Sequence, residues 1–225
     1  MDKKILFLTN ARSPNPGNWA LFEGTKNLIG NFVHERFKTE IFAWDDITFQ
    51  DSIFPESFFE QVNQAQLLWI IGAVTFNGRK EHSLGGSRFN LDSRQLDKIK
   101  IPMVLGGVSY RFWEHQRYFN KEALVKATSY LLERDNCVYG VRNDGTKPWL
   151  ETIVNFSSKR ILEFPDPGFF ALDSLKFENH MPKGLILSLN NEDASSRFQG
   201  FTETKIASKY CDSTAASCSK RSGLL

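Results

Sequence analysis

Leu67-Leu68-Trp69-Ile70-Ile71-Gly72 is the stretch on which the fold turns. Its five apolar residues show no polar alternation, which is the pattern of a strand covered by helices on both faces of a parallel sheet. Upstream, Lys4 to Thr9 is another short apolar run. It ends in the turn-forming stretch SPNPGN (13–18), so a buried strand there delivers the chain to a loop. From Trp19 onward Leu21, Phe22, Leu28, Ile29, Phe32 and Val33 recur at helical spacing, with Glu23, Lys26, Asn27 and Glu35 on the other side. Asn18 stands where a helix N-cap belongs. TEIFAW (39–44) reads as a second strand and ESFFEQVNQA (56–65) as a short helix.

Downstream the same alternation continues. The Gly-containing loop GAVTFNGRKEHSLGGSR (72–88) leads to a short helix near Leu91 to Ile99, then to a strand from Met103 to Leu105 that ends on Gly106 and Gly107. A helix around Lys121 to Glu133, a strand Cys137 to Val141, a helix near Thr146 to Val154 and a strand Ile161 to Phe164 follow. Strand and helix alternating in this way, joined by right-handed crossovers, make an α/β, doubly wound, mostly parallel and Rossmann-like sheet. The domain spans residues 1–175. Residues 176–208 read as a linker with one strand, GLILSLN (184–190), opening an incomplete second domain. Residues 209–225 form an irregular, Ser- and Ala-rich tail without amphipathic period.

Bulk composition excludes several classes of function. Lys plus Arg number 28 against 26 for Asp plus Glu, a near balance that offers no large field for polyanions and makes nucleic acid an unfavoured partner. The apolar run after MDKK stops at Thr9, too short for an export signal. No segment approaches the ~18 apolar residues of a transmembrane helix. Cys137, Cys211 and Cys218 supply no disulfide framework and no zinc spacing, and His34, His82, His115 and His180 are isolated, so no metal site is expected. A reducing cytoplasm fits best. Phenylalanine is abundant, with 20 residues, many in connecting segments such as TFQDSIFPESFF (48–59) and SYRFWEHQRYF (109–119). Such aromatics either anchor loops to the core or line a cleft for a flat or sugar-like ligand.

In an open parallel sheet, ligands bind outside the carboxyl ends of the strands. Gly17 permits close backbone approach after the first strand, and Asn18 either caps the helix or meets a ligand. Gly72 and Gly106 sit at two further strand ends, where they make turns or leave room for a ligand. Arg142 ends the fifth strand. Asp144 heads the next helix, where it stabilises the dipole and can hold the guanidinium. Asp166, between Pro165 and Pro167, directs a carboxylate at the crevice or caps a turn. There is no G-x-x-x-x-G-K-[ST] phosphate loop, no G-x-G-x-x-G after the first strand, and no nucleophile elbow around Ser109.

Taken in order, NPGNWALFEG (15–24), LLWIIGAVTFNG (67–78), IPMVLGGVS (101–109), VRNDGT (141–146), DPGFFAL (166–172) and GLILSLN resemble the N-terminal half of the polysaccharide pyruvyl transferases. The likeness covers roughly residues 3–190, and VRNDGT with DPGFFAL is its most specific part. It implies half of a GT-B-like two-domain enzyme that transfers a pyruvyl group from phosphoenolpyruvate, the donor substrate, to a sugar of a polysaccharide or lipid-linked precursor in exopolysaccharide biosynthesis. No other cofactor is implied, and peripheral membrane association is left open. The N-terminal half is expected to face the acceptor, with Gly17, Asn18, Gly72, Gly106, Arg142, Asp144 and Asp166 lining the crevice and no catalytic residue assigned.

The chain departs from the family pattern at Asn18, where Asp is frequent, and at Gly72-Ala73-Val74, where a Gly-Gly run is usual. Because GLILSLN opens a domain that the tail does not complete, a truncated or frameshifted reading frame is expected. Two other readings stay open: a GT-B-type glycosyltransferase using a nucleotide sugar, and a non-catalytic carbohydrate-binding module.

Overall fold

The apolar run that opens the sequence reading becomes an interior strand of a parallel sheet. A computed structural model describes residues 3–9, 15–32, 37–43, 54–72, 74–111, 117–155 and 158–174, all within one compact unit. The GLILSLN strand, the 209–225 tail, Cys211, Cys218, His34, His115 and His180 lie outside the described residues. In chain order the elements are β1 (Lys3–Thr9), α1 (Pro16–Phe32), β2 (Phe37–Ala43), α2 (Glu56–Asn63), β3 (Leu67–Ile71), β4 (Val74–Phe76), α3 (Ser93–Lys98), β5 (Met103–Tyr110), α4 (Lys121–Glu133), β6 (Cys137–Arg142), α5 (Thr146–Val154) and β7 (Ile161–Phe164). A 3-10 segment, Pro167–Ser174, follows.

The strands order as β2-β1-β3-β5-β6-β7, with β4 beside β5, and every pairing among the described residues is parallel. The chain steps from β1 outward to β2, then returns to β3 on the opposite side of β1. Right-handed crossovers therefore place α1 on one face and α2 to α5 on the other. Side-chain packing agrees. Along β1, Leu6 and Leu8 join Phe58, Phe59 and Val62 of α2, Leu96 of α3, Leu124 and Leu131 of α4 and Leu150 of α5 in one buried cluster. The alternate residues Ile5 and Phe7 meet Leu21 and Phe22 of α1 in a smaller one. Burying each such side chain fully is worth about 1.5–3 kcal/mol, so the four-helix face carries most of the apolar stabilisation. No helix among the described residues is long and apolar enough to cross a membrane.

Three local differences from the sequence reading have physical causes. Helix α1 begins at Pro16, not near Trp19, because proline at the first helical position loses no hydrogen bond. The 72–88 loop contains β4, which lies alongside β5 where β3 has stopped; Val74 is level with Ser109 and Phe76 with Tyr110. Strand β5 does not end at its glycines but runs through Gly106 and Gly107 to Tyr110, with an irregular register between Leu105 and Val108 against β6. The loop aromatics divide as well. Phe54, Phe58, Phe59, Phe76 and Phe89 are buried, whereas Phe119 and Phe169 are exposed.

The same loop buries His82, which is 3% exposed and whose Nδ1 has no hydrogen-bond partner. Burial pushes its imidazole down to about 4; Glu81 raises it, and Arg79 and Arg88 lower it further. A folded state that resists protonation binds fewer protons than the unfolded chain below pH 6.5. Stability is therefore intact above that pH and declines as pH falls toward about 4. The expected loss is up to about 3 kcal/mol. Chemical denaturation of wild type and His82→Gln at pH 7, 5.5 and 4.5 checks this: the variant should lack that share of the slope, and identical slopes would remove the assignment.

Candidate functional site

A cleft of ≈ 410 Å³ opens at the carboxyl ends of the strands, beside the point where the strand order reverses between β1 and β3. Open α/β sheets bind ligands at this place. Its wall draws Asn15 from the cap of α1, Gly17, Asn18, Ala20 and Leu21 from its first turns, Val74 from β4, Arg142 from the tip of β6, and Asp166, Gly168 and Phe169 from the segment after β7. Four of the residues expected from sequence, Gly17, Asn18, Arg142 and Asp166, are thus brought together.

At the head of α1 the cap is Asn15. Its side-chain carbonyl accepts from Gly17 N at 2.9 Å, and its backbone carbonyl accepts from Asn18 N at 3.1 Å. With Pro16 lacking an N–H, the first donors of the helix are occupied, and Asn18 belongs to the first turn and to the cleft wall.

On the other wall, Arg142 Nη1 forms an ion pair with Asp166 Oδ2 at 3.1 Å. The second carboxylate oxygen of Asp166 accepts from Gly168 N at 2.8 Å, and its backbone carbonyl accepts from Phe169 N at 3.2 Å. One acidic residue therefore both orients the guanidinium and shapes the turn that starts the 3-10 segment. That segment is held against α1 by the Asn27 side-chain amide, which donates to Phe170 O at 2.7 Å.

Gly72, Gly106 and Asp144 do not line the cleft. A Cβ on Gly72 would lie 2.2 Å from Gly107 O and 2.4 Å from Val108 Cα, so this glycine lets β3 end tightly against the irregular stretch of β5. A Cβ on Gly106 would lie 2.0 Å from Trp69 Nε1; the position is the seat of an indole ring, whose buried N–H has no partner. Asp144 turns mainly to its own helix, accepting from the backbone N–H and the hydroxyl of Thr146. It approaches Arg142 Nε only to 4.0 Å, beyond hydrogen-bond range, and that Nε is buried without a partner.

As cleft residues, sequence reasoning missed Asn15, Ala20, Leu21, Val74, Gly168 and Phe169. For Asn15 the signal was present, because Asn followed by Pro is the pattern of an N-cap and first helical residue. Phe169 carried no local mark that separates it from the buried phenylalanines. A second concavity of ≈ 780 Å³, lined by Ser83, Arg94, Phe119, Lys121 and Lys126 among others, lies between the first turns of α3 and α4. It contains none of the expected residues and is walled by helix starts in place of strand tips. Among the described residues no group of three or more His, Cys, Asp and Glu side chains is placed to hold a metal ion. Compared with known proteins, the chain matches no family model and no curated protein.

Proposed function

We propose that this chain is the acceptor-side domain of a polysaccharide pyruvyl transferase-like enzyme, acting in the cytoplasm on a glycan or lipid-linked sugar with phosphoenolpyruvate as donor. One observation carries the reading. NPGNWALFEG, VRNDGT and DPGFFAL, three of the segments on which the resemblance rests, are far apart in the chain yet supply Asn18, Arg142 and Asp166 to a single cleft.

The chemistry joins two sugar hydroxyls to the central carbon of the donor. Its methylene takes up a proton and becomes a methyl group, one hydroxyl adds to the resulting cation with loss of its proton, and the second displaces phosphate with loss of its own; of these two protons one offsets that taken up by the methylene and the other leaves with the phosphate. An acid and phosphate-binding cations are required. The cleft offers carboxylate oxygens that accept from sugar hydroxyls, each with a second lone pair. Among its described residues the cation is Arg142, which is paired with Asp166.

Glycan-dependent release of phosphate from phosphoenolpyruvate, by the protein expressed from its complete gene, is the expected result. Absence of release with every glycan tried would reject the reading. Tight binding of a nucleotide sugar alongside weak binding of phosphoenolpyruvate would favour a glycosyltransferase, and glycan binding without turnover a carbohydrate-binding module.

A further inference from the structure

Resting on the reading of the cleft as an acceptor site, we infer that Phe169 is a stacking platform that selects an uncharged pyranose ring. Phe169 is 72% exposed, the highest figure among the large exposed apolar side chains of the described residues, and it stands in the cleft wall. It is not a loose surface residue. The Asp166 backbone carbonyl accepts its N–H, and the Asp166 carboxylate closes the turn just before it through Gly168 N. An aromatic face held beside hydroxyl-bonding groups matches a sugar ring, whose C–H face is apolar and whose edge is a ring of hydroxyls.

Charge decides which sugars fit. Among the described residues of the wall, Arg142 and Asp166 are the charged ones and they pair with each other, while Asp144 stands near the same guanidinium behind it. The first amides of α1, which would otherwise attract an anion, are filled by Asn15. Among the described residues of the wall, a carboxylated or phosphorylated ligand would meet a guanidinium already paired with the Asp166 carboxylate, which repels it. An uncharged ring meets oxygens able to accept from its hydroxyls and a guanidinium able to donate.

Saturation-transfer NMR titrations test this with the methyl glycosides of glucose, galactose and mannose and with methyl galacturonide. At least one neutral glycoside should bind. Phe169→Ala should weaken that binding at least tenfold and Phe169→Trp should stay within about threefold, because an indole also presents a face. Methyl galacturonide should bind at least tenfold more weakly than the neutral glycoside. Because Phe169 is exposed, both variants should melt as wild type does. Equal affinity in wild type and Phe169→Ala, tighter binding of methyl galacturonide, or no neutral glycoside bound would each overturn the inference. Phosphate release that persists unchanged in Phe169→Ala would overturn it while leaving pyruvyl transfer intact. Phe169-dependent glycoside binding without phosphate release would sustain it and remove pyruvyl transfer.

Discussion

Gly24→Ala is expected to destabilise the protein by about 3 kcal/mol, although alanine in a helix interior normally gains about 1 kcal/mol over glycine. The reversal of sign comes from the 3-10 segment lying on α1. A Cβ at Gly24 would sit 1.8 Å from Pro167 O and 2.7 Å from Pro167 C, and backbone atoms cannot swing aside as a flexible side chain does. Helix and segment must separate, and the segment carries Gly168 and Phe169 into the cleft. Loss of stability should therefore come with loss of glycoside binding. Gly30, in the same helix, has nothing within 4 Å of its virtual Cβ. Gly30→Ala should stabilise by about 0.5–1 kcal/mol. Guanidinium denaturation of the pair separates packing from propensity; if both variants gain stability, the close approach at Pro167 is not real.

A larger loss, about 4 kcal/mol or a Tm fall of roughly 10 °C, is expected for Gly72→Ala. The virtual Cβ there meets only backbone, from Gly107 and Val108, and Gly72 N itself donates to Gly106 O at 3.2 Å. Adjustment would have to move β3 against β5 in the middle of the sheet, where the apolar contacts of both faces are anchored. Gly17 provides the contrast. Its nearest neighbour would be the Asn15 side-chain oxygen at 3.1 Å, which can rotate, so Gly17→Ala should cost no more than about 1 kcal/mol. Thermal melts of the two variants compare a strand glycine with a cleft glycine. Equal shifts would show that β3 and β5 tolerate the added methyl.

The elements most legible in the sequence were those whose pattern is local. Leu67 to Ile71 is apolar throughout because both of its faces are covered, and the strand is found there. The helices Lys121–Glu133 and Thr146–Val154 and the strand Ile161–Phe164 fall where their periodicity put them. Less legible was β4, whose three residues are too short to establish a period and pair only because β5 runs on past its glycines. The glycines themselves were ambiguous. A turn, a ligand approach and a packing seat all call for the same missing Cβ, and only the neighbours of Gly72 and Gly106 tell them apart.

What the chain order of residues determined by itself is the layered parallel architecture and the rim on which Gly17, Asn18, Arg142 and Asp166 lie. Alternation of short apolar runs with amphipathic helices admits few other arrangements, and right-handed crossovers settle which ends of the strands face together. Tertiary structure alone decided the pairing of Arg142 with Asp166, the turning of Asp144 toward Thr146, and the exposure of Phe169 beside its buried relatives. Those outcomes depend on contacts between segments more than a hundred residues apart or on competition among partners within a few ångströms, and neither is written in the local spacing of side chains.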